Sequence, residues 1–282
     1  MNKVAVTIVC TNQGRFLKEA FDSLEKQTYQ DFDIIFYDNA CTDDSMEVAH
    51  NYYYKNNFLR RVIFSGHNFG LPLPIGITRW DVVQEVIRRE YKYIALLDAD
   101  DLWCNDKLEE QMKVFEENPN IKMVFSDCKY FDDETKEVKE KTFFDKHKPY
   151  NKNFFWKLLT KRDFMPCCTL MFEAKALEEV MGKPEAYTSA EDYDWVLKMA
   201  NKFEVGYVNE PLAYYRLHAK QQTNFSRSRC TAEEIDVVKQ ACKLRVLSRR
   251  QGMRVYLHLL WLYIKLLLKE YQEAEDYLRG LE

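Results

Sequence analysis

The chain has 282 residues, enough for one large domain or for one domain with an extension, and its 46% apolar and 30% charged residues suit a folded protein. A net charge of −4 makes no case for nucleic acid as a partner. None of the 8 cysteines stands in a CxxC pair, and no apolar run reaches the roughly 18 residues of a membrane span, so reduced thiols in a cytoplasmic protein are expected.

Residues 4–10 are an apolar run, too short for a signal peptide core and suited to a buried first strand. Leu17, Ala20, Phe21 and Leu24 then fall at helical spacing, giving one apolar face. A second strand is expected over 33–37, with Thr42, Asp43, Asp44 and Ser45 as helix-capping side chains after it. A strand at 61–65, a helix over 78–90 and a strand at 93–97 follow. Next come a helix over 106–117, with Leu108, Met112 and Phe115 inward, and a strand at 121–126. This βα alternation argues for an α/β fold with a largely parallel, doubly wound sheet. Residues 129–148 are charged and poorly periodic, which suits an excursion or mobile loop. Beyond them the pattern gives a helix near 153–160, a strand at 167–172, helices at 174–181 and 192–202, and short strands at 204–208 and 213–217. From about Thr231 it is helical to the end.

The run at 93–97 ends abruptly in Asp98, Asp100 and Asp101. In an open α/β sheet ligands collect at the carboxyl ends of the strands. Carboxylates this close repel one another, and Mg²⁺ or Mn²⁺ relieves that while sharing its other positions with water and phosphate oxygens. The direct reading is a metal–diphosphate site. Solvated acids capping the helix at Asp106 are the alternative.

Four segments in order carry a resemblance. The opening "VTIVCTNQGRFLKEAFDSLEKQTYQDFDIIFYDNACTDDS", then "LLDADDLW" with "KLEEQ", then "SAEDYDWVLKMA", then "YYRLH", together resemble a family 2 glycosyltransferase, from Val4 to about His218. The resemblance implies a GT-A fold, a Rossmann-like, mostly parallel central sheet flanked by helices, here with a C-terminal helical extension. It divides the chain into a transferase domain over 1–225, with a nucleotide-binding half to about 126 and an acceptor half beyond, and an extension over 226–282.

The resemblance also implies roles. Cys10, Thr11 and Asn12 wall the nucleotide, Asn12 being equally readable as a turn residue. Asp38 accepts from the base or ribose, with helix capping as its alternative. Asp100 coordinates the divalent cation, Mn or Mg, Asp98 is a ribose or second-layer partner, and Asp101 is structural or on the acceptor side. Asp192 is the catalytic base that deprotonates the acceptor hydroxyl, its proton affinity raised by Glu191; an N-cap role for the following helix is compatible. Asp194 holds that helix, and Trp195 offers an aromatic face to a sugar or holds the helix too. His218 completes the metal or diphosphate site or is a surface histidine, and Arg216 meets the diphosphate or pairs with Asp192 or Asp194.

The implied reaction is transfer, with inversion, from a nucleoside diphosphate sugar, expected to be a UDP-sugar, to a glycan or lipid-linked saccharide. Bacterial surface polysaccharide synthesis is the implied setting. Two positions depart from the family pattern. Ile75 stands where many relatives carry a diphosphate-binding arginine, leaving Arg79 as the candidate substitute, and Asn105 replaces a common proline. The rivals are a catalytically weak nucleotide-sugar-binding subunit or scaffold and, as another enzyme class, a haloacid-dehalogenase-type phosphatase. No GxGxxG follows a strand, which disfavours a dinucleotide oxidoreductase.

Between Lys239 and Lys269 the charges are all basic, and leucines with Trp261 crowd the second half. Such a helix lies on an anionic membrane at the inner face of the cell, or packs against the domain or a twin subunit.

Overall fold

The structure is a computed structural model and describes residues 4–55, 62–67, 70–146, 154–161, 165–221 and 227–279. Nine strands among them form one mixed sheet in the order β3-β2-β1-β4-β8-β6-β9-β5, with β7 paired to β6. In the first half β1 (Val4–Cys10) lies between β2 (Phe32–Asn39) and β4 (Tyr93–Leu96), and β3 (Val62–His67) borders β2, all parallel. Burial on both faces explains why β1, Thr7 apart, and β4 read as continuous apolar runs rather than alternating ones.

The crossovers are α1 (Gly14–Glu25), α2 (Ser45–Lys55) and α3 (Ile75–Arg88). Helix α1 buries Phe16, Leu17, Ala20, Phe21 and Leu24, at about 1.5–3 kcal/mol for each large apolar side chain. Gly76 opens α3 against the chain at 185–187, where a Cβ would come within 2.4 Å of the Glu185 carbonyl oxygen, so only glycine allows that approach.

The second half departs from the expected elements in instructive ways. After β5 (Leu102–Trp103) and α4 (Lys107–Glu117), strand β6 runs from Ile121 to Asp132, well past 126. Residues 129–146 form ordered structure rather than a mobile loop. They are the end of β6, a hairpin partner β7 (Val138–Thr142) and the single turn α5 (Phe143–Lys146); 147 and 148 lie outside the described residues. Strand β7 is exposed along most of its length, so it shows no apolar alternation to read. The backbone N–H groups of Glu134 and Thr135 donate to Asp132 Oδ1 at 3.1 and 3.0 Å, closing that hairpin.

Helix α6 is Phe154–Lys161. The strand expected at 167–172 begins instead as a 3₁₀ turn, Cys167–Thr169, held by Thr169 Oγ1 donating 2.7 Å to the Pro166 carbonyl; β8 is only Met171–Glu173. After α7 (Ala174–Met181) and α8 (Glu191–Lys202), the two short strands expected at 204–208 and 213–217 are one strand, β9 (Glu204–Leu217). Its register against β6 shifts at Asp127 opposite Pro211, a bulge that lets the strand pass a proline.

The terminal helix is two helices, α9 (Arg227–Ala241) and α10 (Arg249–Arg279). Ser248 and Gln251 exchange bonds across the start of α10: Gln251 N–H donates to Ser248 Oγ at 3.4 Å, and Ser248 N–H to Gln251 Oε1 at 3.0 Å. That is a Ser-x-x-Gln capping box, legible in the sequence once sought. No described helix is long and apolar enough to cross a membrane.

Candidate active site

Because β1, β2 and β4 are parallel and in register, their carboxyl ends open on the same edge of the sheet. A cavity of about 420 Å³ lies there, lined by Thr11, Asn12, Arg79, the three acids of the 98–101 turn, Glu191, Asp192 and His218 among others. The acids that follow β4 and those that open α8 therefore share one cleft.

Each acid of the turn has its own partner. Asp98 pairs with the Arg79 guanidinium. Asp100 Oδ2 lies 2.9 Å from His218 Nε2. Asp101 Oδ1 accepts the Arg216 backbone N–H at 2.8 Å. Burial, then the charges of Asp100 and Asp98, push the Asp101 carboxyl well up. Asp98 is raised by the same two causes, burial and Asp100, with Arg79 opposing.

Arg79 is the centre of the cleft floor. Its Nη1 stands 3.0 Å from Glu191 Oε1 and donates to Cys167 Sγ at 2.7 Å, while Nη2 meets Asp98. One guanidinium thus ties the acids after β4 to the head of α8. Burial raises Glu191, with Arg79 opposing. Asp192, 8% exposed, is pushed well above the usual carboxylate range by burial first and the Glu191 charge second, against the pull of Arg79. A carboxylate with raised proton affinity that opens onto a cavity is equipped to take a proton from a hydroxyl.

The segment before α8 is held from outside the sheet. Glu233 of α9 accepts the backbone N–H groups of Thr188 and Ser189, both at 2.9 Å, and both of their hydroxyls, at 2.7 and 3.1 Å. Thr188 and Ser189 line the cavity.

Other residues singled out by sequence have different surroundings. Arg216 is fully buried between the Phe16 and Phe131 rings, donates from Nε to the Asp100 carbonyl at 2.6 Å and from Nη1 to Asp133 Oδ1 at 2.7 Å, and pairs with Glu19. It pairs with neither Asp192 nor Asp194, and it does not line the cavity: β9 brings it behind the acidic turn. Asp194 binds Lys198 at 2.6 Å, one helical turn away. Trp195, 4% exposed, faces the α3 side of α8 near Trp80 and Tyr187, so it presents no face to this cavity. Asp38 Oδ1 accepts the Cys41 N–H at 2.9 Å, and Cys10 is buried with its carbonyl accepting the Cys41 thiol; neither lines the cavity. Asn12 does, in a left-handed conformation (φ 55°), and its Oδ1 accepts the N–H groups of Thr42 and Asp43 at 2.7 and 3.2 Å.

Sequence reasoning missed Arg15, Lys220 and Gln221 at the cavity wall and Glu233 behind it. The loop after β9 was open to the carboxyl-end rule, but His218 was singled out there by the family resemblance alone. Glu233 carried no signal, because its partners lie on another element.

The model of the family described as glycosyl transferase family 2 matches residues 5–180, more than half of the chain. An uncharacterized glycosyltransferase of Methanocaldococcus jannaschii is 33% identical over 226 residues, which span 77% of this chain and 72% of that protein. The chain belongs to glycosyltransferase family 2. The O-antigen biosynthesis glycosyltransferase WbnJ of Escherichia coli is 25% identical over 224 residues, 78% of this chain and 82% of its own. Among solved structures, S. aureus TarS in complex with UDP-GlcNAc superposes with a TM-score of 0.70 at 15% identity, covering 90% of this chain and 70% of that one. Mannosyltransferase PcManGT from Pyrobaculum calidifontis, in complex with GDP-Man and Mn²⁺, gives 0.66 at 14% identity over 97% of this chain and 75% of that one. The shared fold is the GT-A-like α/β architecture. Family membership removes the phosphatase alternative.

Proposed function

We propose that the protein is an inverting glycosyltransferase that moves a sugar from a nucleoside diphosphate sugar, taken to be a UDP-sugar, to an acceptor hydroxyl. The observation that carries this reading is that Asp100 and Asp192 open onto one cavity. Asp192 takes the acceptor proton, and the hydroxyl oxygen forms a bond to the anomeric carbon as the bond to the diphosphate oxygen breaks on the opposite side. Attack from that side turns an α-linked donor into a β-linked product. Thr11 and Asn12 wall the nucleotide.

Asp100 and His218 suit a divalent cation, Mn²⁺ or Mg²⁺: one carboxylate and one imidazole leave the remaining positions to water and phosphate oxygens. Among the described residues no three His, Cys, Asp or Glu side chains gather into a metal cage, and we propose a cation shared with the substrate. When bound, it compensates the charge of the departing diphosphate. Ile75 lines the cavity where the family's arginine would reach, and Arg79 is engaged by Asp98 and Glu191. Arg15 and Lys220, both at the cavity wall, are the cations we assign to the diphosphate.

The TarS and PcManGT complexes support a nucleotide sugar as donor, and the O-antigen biosynthesis glycosyltransferase WbnJ supports a setting in bacterial surface polysaccharide synthesis, for which we take a glycan or lipid-linked saccharide as the acceptor. We take residues 1–225 as the transferase domain and 226–282 as its helical extension. Ile75 favours a second reading, a nucleotide-sugar-binding subunit without activity.

Release of nucleoside diphosphate from a panel of nucleotide sugars, with and without Mn²⁺, separates the two. Asp100→Ala is expected to lose metal-dependent donor binding, and Asp192→Asn to keep binding and lose transfer. Transfer by Asp192→Asn at the wild-type rate would remove the base assignment, and binding without transfer by every donor and acceptor would favour the subunit.

A further inference from the structure

Helix α10 has two apolar faces. Val255 and Leu262 are buried on the inner one, and the cations on that side are engaged: Lys265 Nζ lies 4.0 Å from Glu234, and Lys269 donates to Thr231 Oγ1 at 3.0 Å. The outer face carries Met253, Leu257, Leu260, Ile264 and Leu267, between 45% and 64% exposed. Their spacing of four, three, four and three residues is a heptad seam of the kind that packs against another helix. Trp261, Leu268, Tyr256 and Tyr263 flank it and are also exposed. An apolar strip running about 22 Å along a helix exceeds what a monomer leaves in water.

We infer that this face is covered by the same face of a second copy of the chain, the two α10 helices running antiparallel. The charges select that occupant. The helix is basic at its start, with Arg249, Arg250 and Arg254, and its sequence turns acidic from Glu270, with Glu273, Glu275 and Asp276 following. Antiparallel pairing sets the basic start of each helix opposite the acidic end of the other, whereas parallel pairing sets like charges together. A lipid surface fits less well, because Lys265 and Lys269 are turned toward the domain and the acidic end repels anionic headgroups. With the dyad between Leu260 and Ile264, each Leu257 meets the second copy's Leu267, and Trp261 lies beside its own counterpart.

Sedimentation of the full chain at micromolar concentration is expected to give twice its 33.8 kDa. Leu260→Glu with Ile264→Glu, both at exposed positions, is expected to give a monomer with an unchanged circular dichroism spectrum. In mild oxidant Trp261→Cys is expected to cross-link to its own counterpart and Met253→Cys is not, relative to wild type. A monomeric wild-type protein, whether or not it floats with anionic phosphatidylglycerol vesicles, overturns the inference, and so does a dimer that survives the double substitution. Self-cross-linking at Met253 overturns the antiparallel arrangement.

Discussion

Arg79 Nη1 lies 3.0 Å from Glu191 Oε1, and the same guanidinium holds Asp98, so one side chain in α3 joins the two acidic motifs of the cleft. Arg79→Met leaves two carboxylates in a buried site without their counter-charge. Removing one partner of a buried pair costs about 3–5 kcal/mol, and that loss of stability is expected in denaturant unfolding. Arg79→Lys keeps the charge but not the fork that spans both acids, and is expected to recover only part of the loss. Wild-type stability in Arg79→Met would mean that the bridge is incidental.

Asp192→Asn is expected to trade activity for stability. Burial and the Glu191 charge raise the folded-state pKa of Asp192 above its unfolded value of 3.8. Within that window the folded state keeps a proton that the unfolded chain has released, so stability falls as pH rises through it and stays lowered above it. The neutral amide escapes this loss. The Tm of Asp192→Asn should exceed that of wild type at about pH 8, with the gap closing toward about pH 4. A gap independent of pH would show that the carboxylate is not held at raised proton affinity.

Glu233→Ala frees the cavity-lining Thr188 and Ser189 segment without changing the identity of any cavity residue. A misplacement near 1 Å can cost as much as about 100-fold, so kcat is expected to fall by about 10- to 100-fold with donor Kd unchanged. Glu233→Gln retains one accepting oxygen and is expected to recover part of it. An equal loss of donor affinity would point to general unfolding of the loop instead.

Lys107, at the start of α4, is fully buried, with Nζ 3.9 Å from the Trp103 ring centroid and 2.6 Å from Gln111 Oε1. Desolvation pulls its pKa down to about 7 from 10.5. Between those values the unfolded chain holds a proton that the folded one lacks, so stability rises with pH across the window. From about pH 6 to about pH 9 the wild type is expected to gain on the order of 2 kcal/mol from this group. Lys107→Met is expected to lose that pH dependence whatever its absolute stability, and an unchanged slope would show that Lys107 stays charged in the fold.

The sequence by itself determined the parallel half of the sheet, because strands buried on both faces must be mainly apolar, and β4 is wholly so while β1 is but for Thr7. It also determined that acids stand at the end of β4 and the head of α8, since each follows directly from a motif. Exposed β7 escaped it, having no apolar period to read, and β9 was read as two short strands because its bulge at Pro211 interrupts the pattern. Only the tertiary structure decided the pairings: that Arg216 lies behind the acidic turn, that Trp195 faces away from the cavity, and that Arg79 bridges Asp98 and Glu191. A side chain's charge is local, but its partner depends on which distant element the sheet order brings beside it.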